Sequence, residues 1–286
     1  MSRKRPRMAI CYDFDGTLAP GNMQEYDYIP RLKITSQNFW EQVRQRAVEQ
    51  EADEILSYMC LMLEKANADK SQGIRITKQA FADYAQKVTL YKGVDEWFPR
   101  INEYGRQRGL NVEHYIISSG IREMIAGTSI AKEFTKIYAS SFMYDQNGVA
   151  YWPALAVNYT TKTQFLFRIN KGFLNEWDNA GINSYLEKSQ RPIPFERMIY
   201  IGDGYSDVPC MRLVKEQGGT SIAVYKPRTK GKRDIAEKLL SEGRVDMFAA
   251  ADYRKDKMLD VMVKGLIDRI AADYQVNELK EACRSK

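Results

Sequence analysis

The stretch Met8-Ala9-Ile10-Cys11-Tyr12-Asp13-Phe14-Asp15-Gly16-Thr17-Leu18 decides the fold. A short apolar run of strand type ends in two carboxylates, two residues apart, followed by a glycine turn. Residues i and i+2 of an extended chain point to the same side. Asp13 and Asp15 therefore leave the strand end close together, where their repulsion calls for a positive partner. Hard carboxylate oxygens suit a divalent cation such as magnesium. One carboxylate can attack a substrate while the other moves protons. Taken alone, the stretch also reads as a polar turn after a strand, because Asp and Gly are common turn formers. The rest of the chain discriminates between the two.

A chain of 286 residues can bury a sizeable core in one or two domains. Hydrophobic residues at 44% and charged residues at 28% fall in the range of soluble globular proteins. No uninterrupted apolar stretch approaches membrane-spanning length. The basic N-terminus runs into Asp13 before an apolar signal segment can form, so a cytoplasmic protein is expected. Cys11, Cys60, Cys210 and Cys283 form no C-x-x-C pair, which argues against a zinc knuckle or a disulfide framework. The net charge of +6 is concentrated in Ser2 to Arg7 and Lys226 to Arg233. Neither run carries interleaved aromatics, so both read as solvated segments, with no nucleic-acid partner and no membrane partner expected. The single histidine, His114, excludes two-histidine metal sites and opens an apolar strand, the place of a packed residue.

Along the chain, Met8 to Tyr12 reads as a first strand. Ala19 to Thr35 reads as irregular. Three helical patterns follow: one capped by Ser36 and running to about Gln50, one over Ala52 to Ala68, and one after Thr77. With no strand pattern between Ala19 and Lys92, residues 19–92 are expected to be a separate helical insertion. The core is then 1–18 and 93–286. After Gly93 the pattern alternates: helix over Val94 to Gly109, strand over His114 to Ile117, helix over Ile121 to Gly127, strand over Lys136 to Ser140. A β-hairpin over Phe142 to Leu155 turns at Asn147-Gly148. A helix starts at Lys162, a strand covers Arg197 to Ile201, and a helix over Ser206 to Gln217 leads to a strand over Ser221 to Tyr225. This alternation predicts an α/β fold, a doubly wound parallel sheet with an inserted helical domain and a small β-hairpin. Ligands of such sheets bind at the carboxyl ends of the strands.

The polar residues cluster at those ends. The first strand carries Asp13 and Asp15, and the second carries Ser118, Ser119 and Gly120 before a helix N-terminus, a ready anion site. A later strand carries Asp203 and Asp207 in Ile-Gly-Asp-Gly-Tyr-Ser-Asp, and Lys162 opens the helix between. Several acids, one lysine and backbone N–H groups suit a phosphate held with a metal ion. Each member has a plainer reading, as a cap, a surface lysine or a tight turn.

Together, Asp13-Phe-Asp-Gly-Thr-Leu, the strand ending at Ser118, Lys162, and Gly202-Asp203-Gly-Tyr-Ser-Asp207 resemble the four motifs of the haloacid dehalogenase-like (HAD) superfamily, closest to its phosphoserine phosphatase-like branch. The resemblance implies a Rossmann-like core and a C1-type helical cap at Ala19 to Lys92. It implies that Asp13 is the nucleophile forming an aspartyl-phosphate, and that Asp15 protonates the leaving oxygen and then activates water. It implies phosphate contacts from Thr17, Ser118, Ser119, Gly120 and Lys162, and a Mg2+ ion held by Asp13, the backbone carbonyl of Asp15 and Asp203, with Asp207 supporting it directly or through water. The acid at Asp15 points to phosphate rather than halide chemistry. In one respect the chain departs from the branch: where phosphoserine phosphatases place a substrate-binding glutamate, it has Asn22, and the nearest acid is Glu25.

The expected activity is magnesium-dependent hydrolysis of a small phosphorylated metabolite. Two other readings stay open: a phosphotransferase or phosphomutase using the same aspartyl-phosphate, and a non-catalytic scaffold of the same fold. The insertion, with Tyr26, Tyr28, Phe39, Trp40 and Tyr58, is aromatic-rich, which core packing explains for most of them. Arg31, Arg44 and Arg46 are candidates to meet an anionic leaving group.

Overall fold

The computed structural model describes residues 5–68 and 74–284, so part of the basic run Ser2 to Arg7 lies outside the described residues. Strand β1 (Arg7–Tyr12) is followed by a 3-10 turn at Met23–Glu25, then α1 (Tyr28–Arg31), α2 (Ser36–Glu49), α3 (Glu54–Ala68), α4 (Lys78–Ala85) and α5 (Val94–Gln107). Next come β2 (Asn111–Ile121), α6 (Arg122–Ala126), β3 (Lys136–Tyr144), β4 (Ala150–Leu155), α7 (Lys162–Lys171) and α8 (Asn179–Asn183). The chain ends with β5 (Met198–Gly202), α9 (Val208–Glu216), β6 (Thr220–Tyr225), α10 (Lys232–Ser241), β7 (Met247–Ala250) and α11 (Met258–Arg284).

The seven strands form one sheet in the order β4-β3-β2-β1-β5-β6-β7. Every neighbouring pair is parallel except β3 and β4, the expected hairpin. β1 lies at the centre because it is apolar throughout and covered on both faces, the usual state of an inner parallel strand. Its side chains divide with period two: Met8, Ile10 and Tyr12 join one buried cluster, Ala9 and Cys11 the other. The first cluster takes Trp97, Phe98 and Ile101 of α5 and Leu259, Val263 and Ile267 of α11. The second takes Phe165 and Ile169 of α7, Met211 and Val214 of α9, and Leu239 of α10. The sheet is thus doubly wound, and its order reverses at β1, the switch point where such folds place ligands.

Among the described residues, those between β1 and α5 contribute no strand to this sheet. The two ends of that segment meet, for the Tyr91 N–H donates to the Leu18 carbonyl over 2.9 Å. Its apolar side chains, Phe39, Tyr58, Met62 and Phe81 among them, join the first cluster.

Several boundaries differ from the sequence expectation for local reasons. Thr35, not Ser36, caps α2, its side chain accepting from the Asn38 N–H. The second helix begins at Glu54, because the Asp53 carboxylate accepts the N–H groups of Ile55 and Leu56. The stretch expected to be irregular holds a 3-10 turn and α1. β2 continues to Ile121 rather than stopping at Ile117, and α6 is shorter than expected. The expected strand over Lys136 to Ser140 and the first hairpin arm are one strand, β3.

Among the described residues no helix is long and apolar enough to cross a membrane. The four cysteines are free thiols. His114 is buried inside β2, its Nδ1 3.0 Å from the Tyr12 hydroxyl and its Nε2 3.0 Å from Asn102 Oδ1.

Candidate active site

Asp13 follows the last residue of β1, and its N–H donates to the Ile201 carbonyl of β5 over 3.0 Å. The chain then folds into a tight loop: the Phe14 carbonyl accepts from the N–H groups of Thr17, Leu18 and Ala19. Gly16 makes the loop possible. Its φ is +80°, and a Cβ there would lie 2.2 Å from Asp203 Oδ2. Only glycine accepts both conditions at low cost. The loop brings Asp15 round so that its carboxylate accepts the Met23 N–H over 2.9 Å.

Ser118, Ser119 and Gly120 lie in a bulge. The register of β2 against β3 jumps from Ser118–Ala139 to Ile121–Ser140, leaving Ser119 and Gly120 without ladder partners. The bulge is pinned from both sides, since the Ser119 carbonyl accepts from the hydroxyls of Tyr58 (2.7 Å) and Ser140 (3.1 Å). The Gly120 N–H donates to Ser118 Oγ over 3.1 Å. The Ser119 hydroxyl is buried with no partner among the described residues.

Lys162, the first residue of α7, is almost wholly buried. Its Nζ lies 3.1 Å from Asp13 Oδ1 and donates to Asp207 Oδ1 over 2.8 Å. Asp207 Oδ1 also accepts from the Tyr200 hydroxyl over 2.8 Å, and Oδ2 accepts from the Asp203 N–H over 3.2 Å. Both Asp207 oxygens are therefore committed, and this residue orders Lys162 and the turn after β5. Before α7, Asn158 Nδ2 donates to Asp53 and the Tyr159 hydroxyl to Glu54, tying this loop to the start of α3.

These placements open onto one cavity of about 600 Å³. Asp13, Asp15, the Ser118–Gly120 bulge, Lys162 and Asp203 line it. Asp207 sits fully buried behind Lys162, and Thr17 lies buried beneath the loop with its hydroxyl unpartnered and off the cavity wall. Of the expected aromatics, Trp40 and Tyr58 reach the cavity, while Tyr28 and Phe39 belong to the buried cluster. Arg44 reaches it too, whereas Arg31 is paired with Asp27 and Arg46 with Glu64. Glu25 accepts from Trp40 Nε1 (2.7 Å) and Asn22 Nδ2 (2.8 Å), and it is Asn22 that faces the cavity. Lys226 and Lys232, expected as part of a solvated basic loop, line it as well.

Electrostatically the site is a cluster of crowded carboxylates. Burial, with the Asp207 carboxylate next, pushes Asp13 up to about 7 against the opposing pull of Lys162. Burial and then the Asp13 charge raise Asp15 well above the usual carboxylate value, which favours its protonated form. Burial and Asp207 raise Asp203 to about 6. Lys162 is moved the other way. Burial works against its charge, but Asp13 and Asp207 overcome that and keep it an ammonium ion. Oxygen atoms of Asp13, Asp203 and Asp207 come within 4.8 Å of one another. Hard oxygens at this spacing, two of the carboxylates held reluctant to ionise, fit a small divalent cation, which would supply the missing positive charge. Asp13 and Asp203 line the cavity directly, while Asp207 stands behind them with both oxygens accepting hydrogen bonds.

Comparison with known proteins gives four findings. The model of the haloacid dehalogenase-like hydrolase family matches residues 10–212. An uncharacterized protein of Borreliella burgdorferi is 29% identical over 283 residues, spanning 91% of this chain and 96% of that protein. Among solved structures, a HAD family hydrolase from Salmonella enterica serovar Typhi superposes with a TM-score of 0.57 at 18% identity, over 92% of this chain and 72% of that one. A substrate-bound phosphoserine phosphatase superposes with a TM-score of 0.55 at 14% identity, over 91% of this chain and 98% of that one.

Proposed function

The chain belongs to the haloacid dehalogenase-like hydrolase family, and from that premise we propose that it is a magnesium-dependent phosphatase of small phosphate monoesters. The observation that carries this reading is the pairing of two unlike carboxylates on one cavity wall. Asp13 is backed by the Lys162 ammonium at 3.1 Å, and burial beside it raises Asp15 toward its protonated form. A group that attacks and a group that gives a proton are the two parts that covalent phosphoryl transfer needs.

In the first step an Asp13 carboxylate oxygen attacks phosphorus. The bond from phosphorus to the leaving oxygen breaks, and Asp15 delivers its proton to that oxygen, releasing an alcohol. In the second step water attacks the aspartyl-phosphate and gives its proton to Asp15. Inorganic phosphate leaves and Asp13 is restored. Lys162, Ser118 and the N–H of Ser119 would meet the phosphoryl oxygens, where fixed donors act with most effect as charge develops. Asp13 and Asp203, with the Asp15 carbonyl and with Asp207 in support directly or through water, would hold Mg2+, which when bound neutralises phosphoryl charge. Residues 19–92 serve as a cap over this chemistry, joined to the core at the Leu18–Tyr91 hydrogen bond.

The test is phosphate release from amino-acid, sugar, nucleotide and aryl phosphates, with magnesium and with EDTA. Release that requires magnesium supports the reading. Silence across the panel by folded, magnesium-loaded protein contradicts it. Acceleration by added acceptor alcohols, with phosphate appearing on the alcohol, marks a phosphotransferase instead.

A further inference from the structure

We propose that the leaving group of the substrate carries a second negative charge, a carboxylate or a further phosphate, and that Arg44 and Lys226 bind it. This inference rests on the phosphatase reading. The cavity measures about 600 Å³. That is the scale of sites that enclose whole organic ligands, so the leaving group as well as the phosphoryl group fits inside.

The charges on its wall are unequal. Trp40 and Arg44 stand four residues apart on α2 and therefore share a helix face, and both reach the cavity. Lys226 enters from the loop after β6. Among the described residues no carboxylate pairs with Arg44 or Lys226, although Arg31 and Arg46 on the same helical segment are both paired. Lys232 stands 3.9 Å from Asp203 and so belongs to the phosphoryl end.

The acids are already engaged. Asp13, Asp15 and Asp203 serve the phosphoryl end. Glu54 is the one further carboxylate on the wall among the described residues, where it accepts from the Tyr159 hydroxyl over 2.9 Å, and Glu25 is held off the wall by Trp40 and Asn22. A leaving group with an ammonium would meet two cations, Arg44 and Lys226, against the single carboxylate of Glu54. A leaving group with an anion would find a guanidinium and an ammonium that no carboxylate pairs among the described residues. Gln24, buried on the same wall, keeps an unpartnered Oε1 that can accept from a hydroxyl near the ester.

The experiment compares four aryl phosphates with one leaving-group frame: 4-methylphenyl, 4-(carboxymethyl)phenyl, 4-(phosphonomethyl)phenyl and 4-(aminomethyl)phenyl phosphate. Each is hydrolysed by the magnesium-loaded wild type and by Arg44→Gln and Lys226→Gln. The expected result is a kcat/KM for an anionic compound at least about tenfold above that of the methyl compound, the scale of one charge-assisted hydrogen bond. The aminomethyl compound is slowest, and either substitution shrinks the preference. The order of the carboxymethyl and phosphonomethyl compounds tells which anion is read. Hydrolysis of the methyl compound as fast as the anionic ones, or a preference that both substitutions leave intact, overturns this inference and leaves the phosphatase reading standing. Hydrolysis of none of the four overturns both.

Discussion

Lys162 Nζ lies 3.1 Å from Asp13 Oδ1, and both side chains are almost entirely withdrawn from solvent. The lysine comes from the first turn of α7 and the aspartate from the end of β1, so their contact joins two elements far apart in sequence. Asp207 completes the group at 2.8 Å from the same ammonium. One cation thus compensates two buried carboxylates, and the site's geometry depends on it.

Removing that cation has a structural and a catalytic effect. Lys162→Met leaves Asp13 and Asp207 buried without their partner, a change that typically destabilises by about 3 kcal/mol or more. Urea unfolding in EDTA measures this. We expect kcat to fall at least about a hundredfold, as when a fixed donor to developing charge is lost. A variant with wild-type stability and rate would show that the ion pair is incidental.

Asp15→Asn separates the two chemical steps. Loss of general acid–base catalysis slows turnover by roughly 10²- to 10⁴-fold. With 4-nitrophenyl phosphate, whose leaving group needs little protonation, the first step is spared more than the second. Stopped-flow traces should then show a burst of nitrophenol followed by slow turnover. An unchanged steady-state rate would remove Asp15 from the mechanism.

Gly16→Ala tests how closely the first loop packs on Asp203. The added Cβ would stand 2.2 Å from Asp203 Oδ2 at a φ of +80°. The backbone strain alone costs about 1 kcal/mol or more. Asp203 must move, so the magnesium concentration for half-maximal activity should rise by about tenfold or more. A metal dependence equal to wild type would show that Asp203 is not a ligand.

The site was legible because its residues sit in short motifs at strand ends. Asp13, Asp15, Ser118, Lys162 and Asp203 share one cavity even though they span much of the chain. Order within the site was less legible. The sequence cannot say that Asp207 spends both oxygens on Lys162, Tyr200 and Asp203, because those contacts depend on side-chain placement after the sheet has formed. Ser118-Ser119-Gly120 has turn composition yet stays extended. Hydrogen bonds from Tyr58 and Ser140 hold it, and both residues are distant in sequence. Lys226 and Lys232 lie in a basic run with no motif, so charge alone gave no reason to aim them at a cavity. β7 is too short to carry a periodic signal. α11, by contrast, shows a 3.6-residue period at Leu259, Val263, Leu266, Ile267 and Ile270, and is the clearest element that motif-led expectations omit.

His114 provides a pH prediction independent of the site. The Tyr12 hydroxyl accepts from Trp97 Nε1 (2.9 Å) and donates to His114 Nδ1, and Nε2–H donates to Asn102. The tautomer follows from that network. Burial lowers the imidazole to about 3. A histidine lowered in the fold binds its proton more readily when unfolded. Its contribution is therefore complete above about 6.5 and is lost as pH falls toward 3, at about 1 kcal/mol per pH unit. Because the chain has one histidine, its imidazole resonance is unambiguous. It should stay neutral at pH 5, and titration near 6.5 in folded protein would contradict this account.

The central claim is that Asp13 carries the phosphoryl group. The direct measurement is acid quench of the wild-type enzyme during turnover with magnesium, followed by borohydride reduction and peptide mass spectrometry. An aspartyl-phosphate is reduced to homoserine, so the account predicts homoserine at position 13 with substrate present and unmodified aspartate without it. Asp13→Asn, folded and inactive, should give no label. Efficient turnover with Asp13 unmodified, or activity retained by Asp13→Asn, would contradict the mechanism.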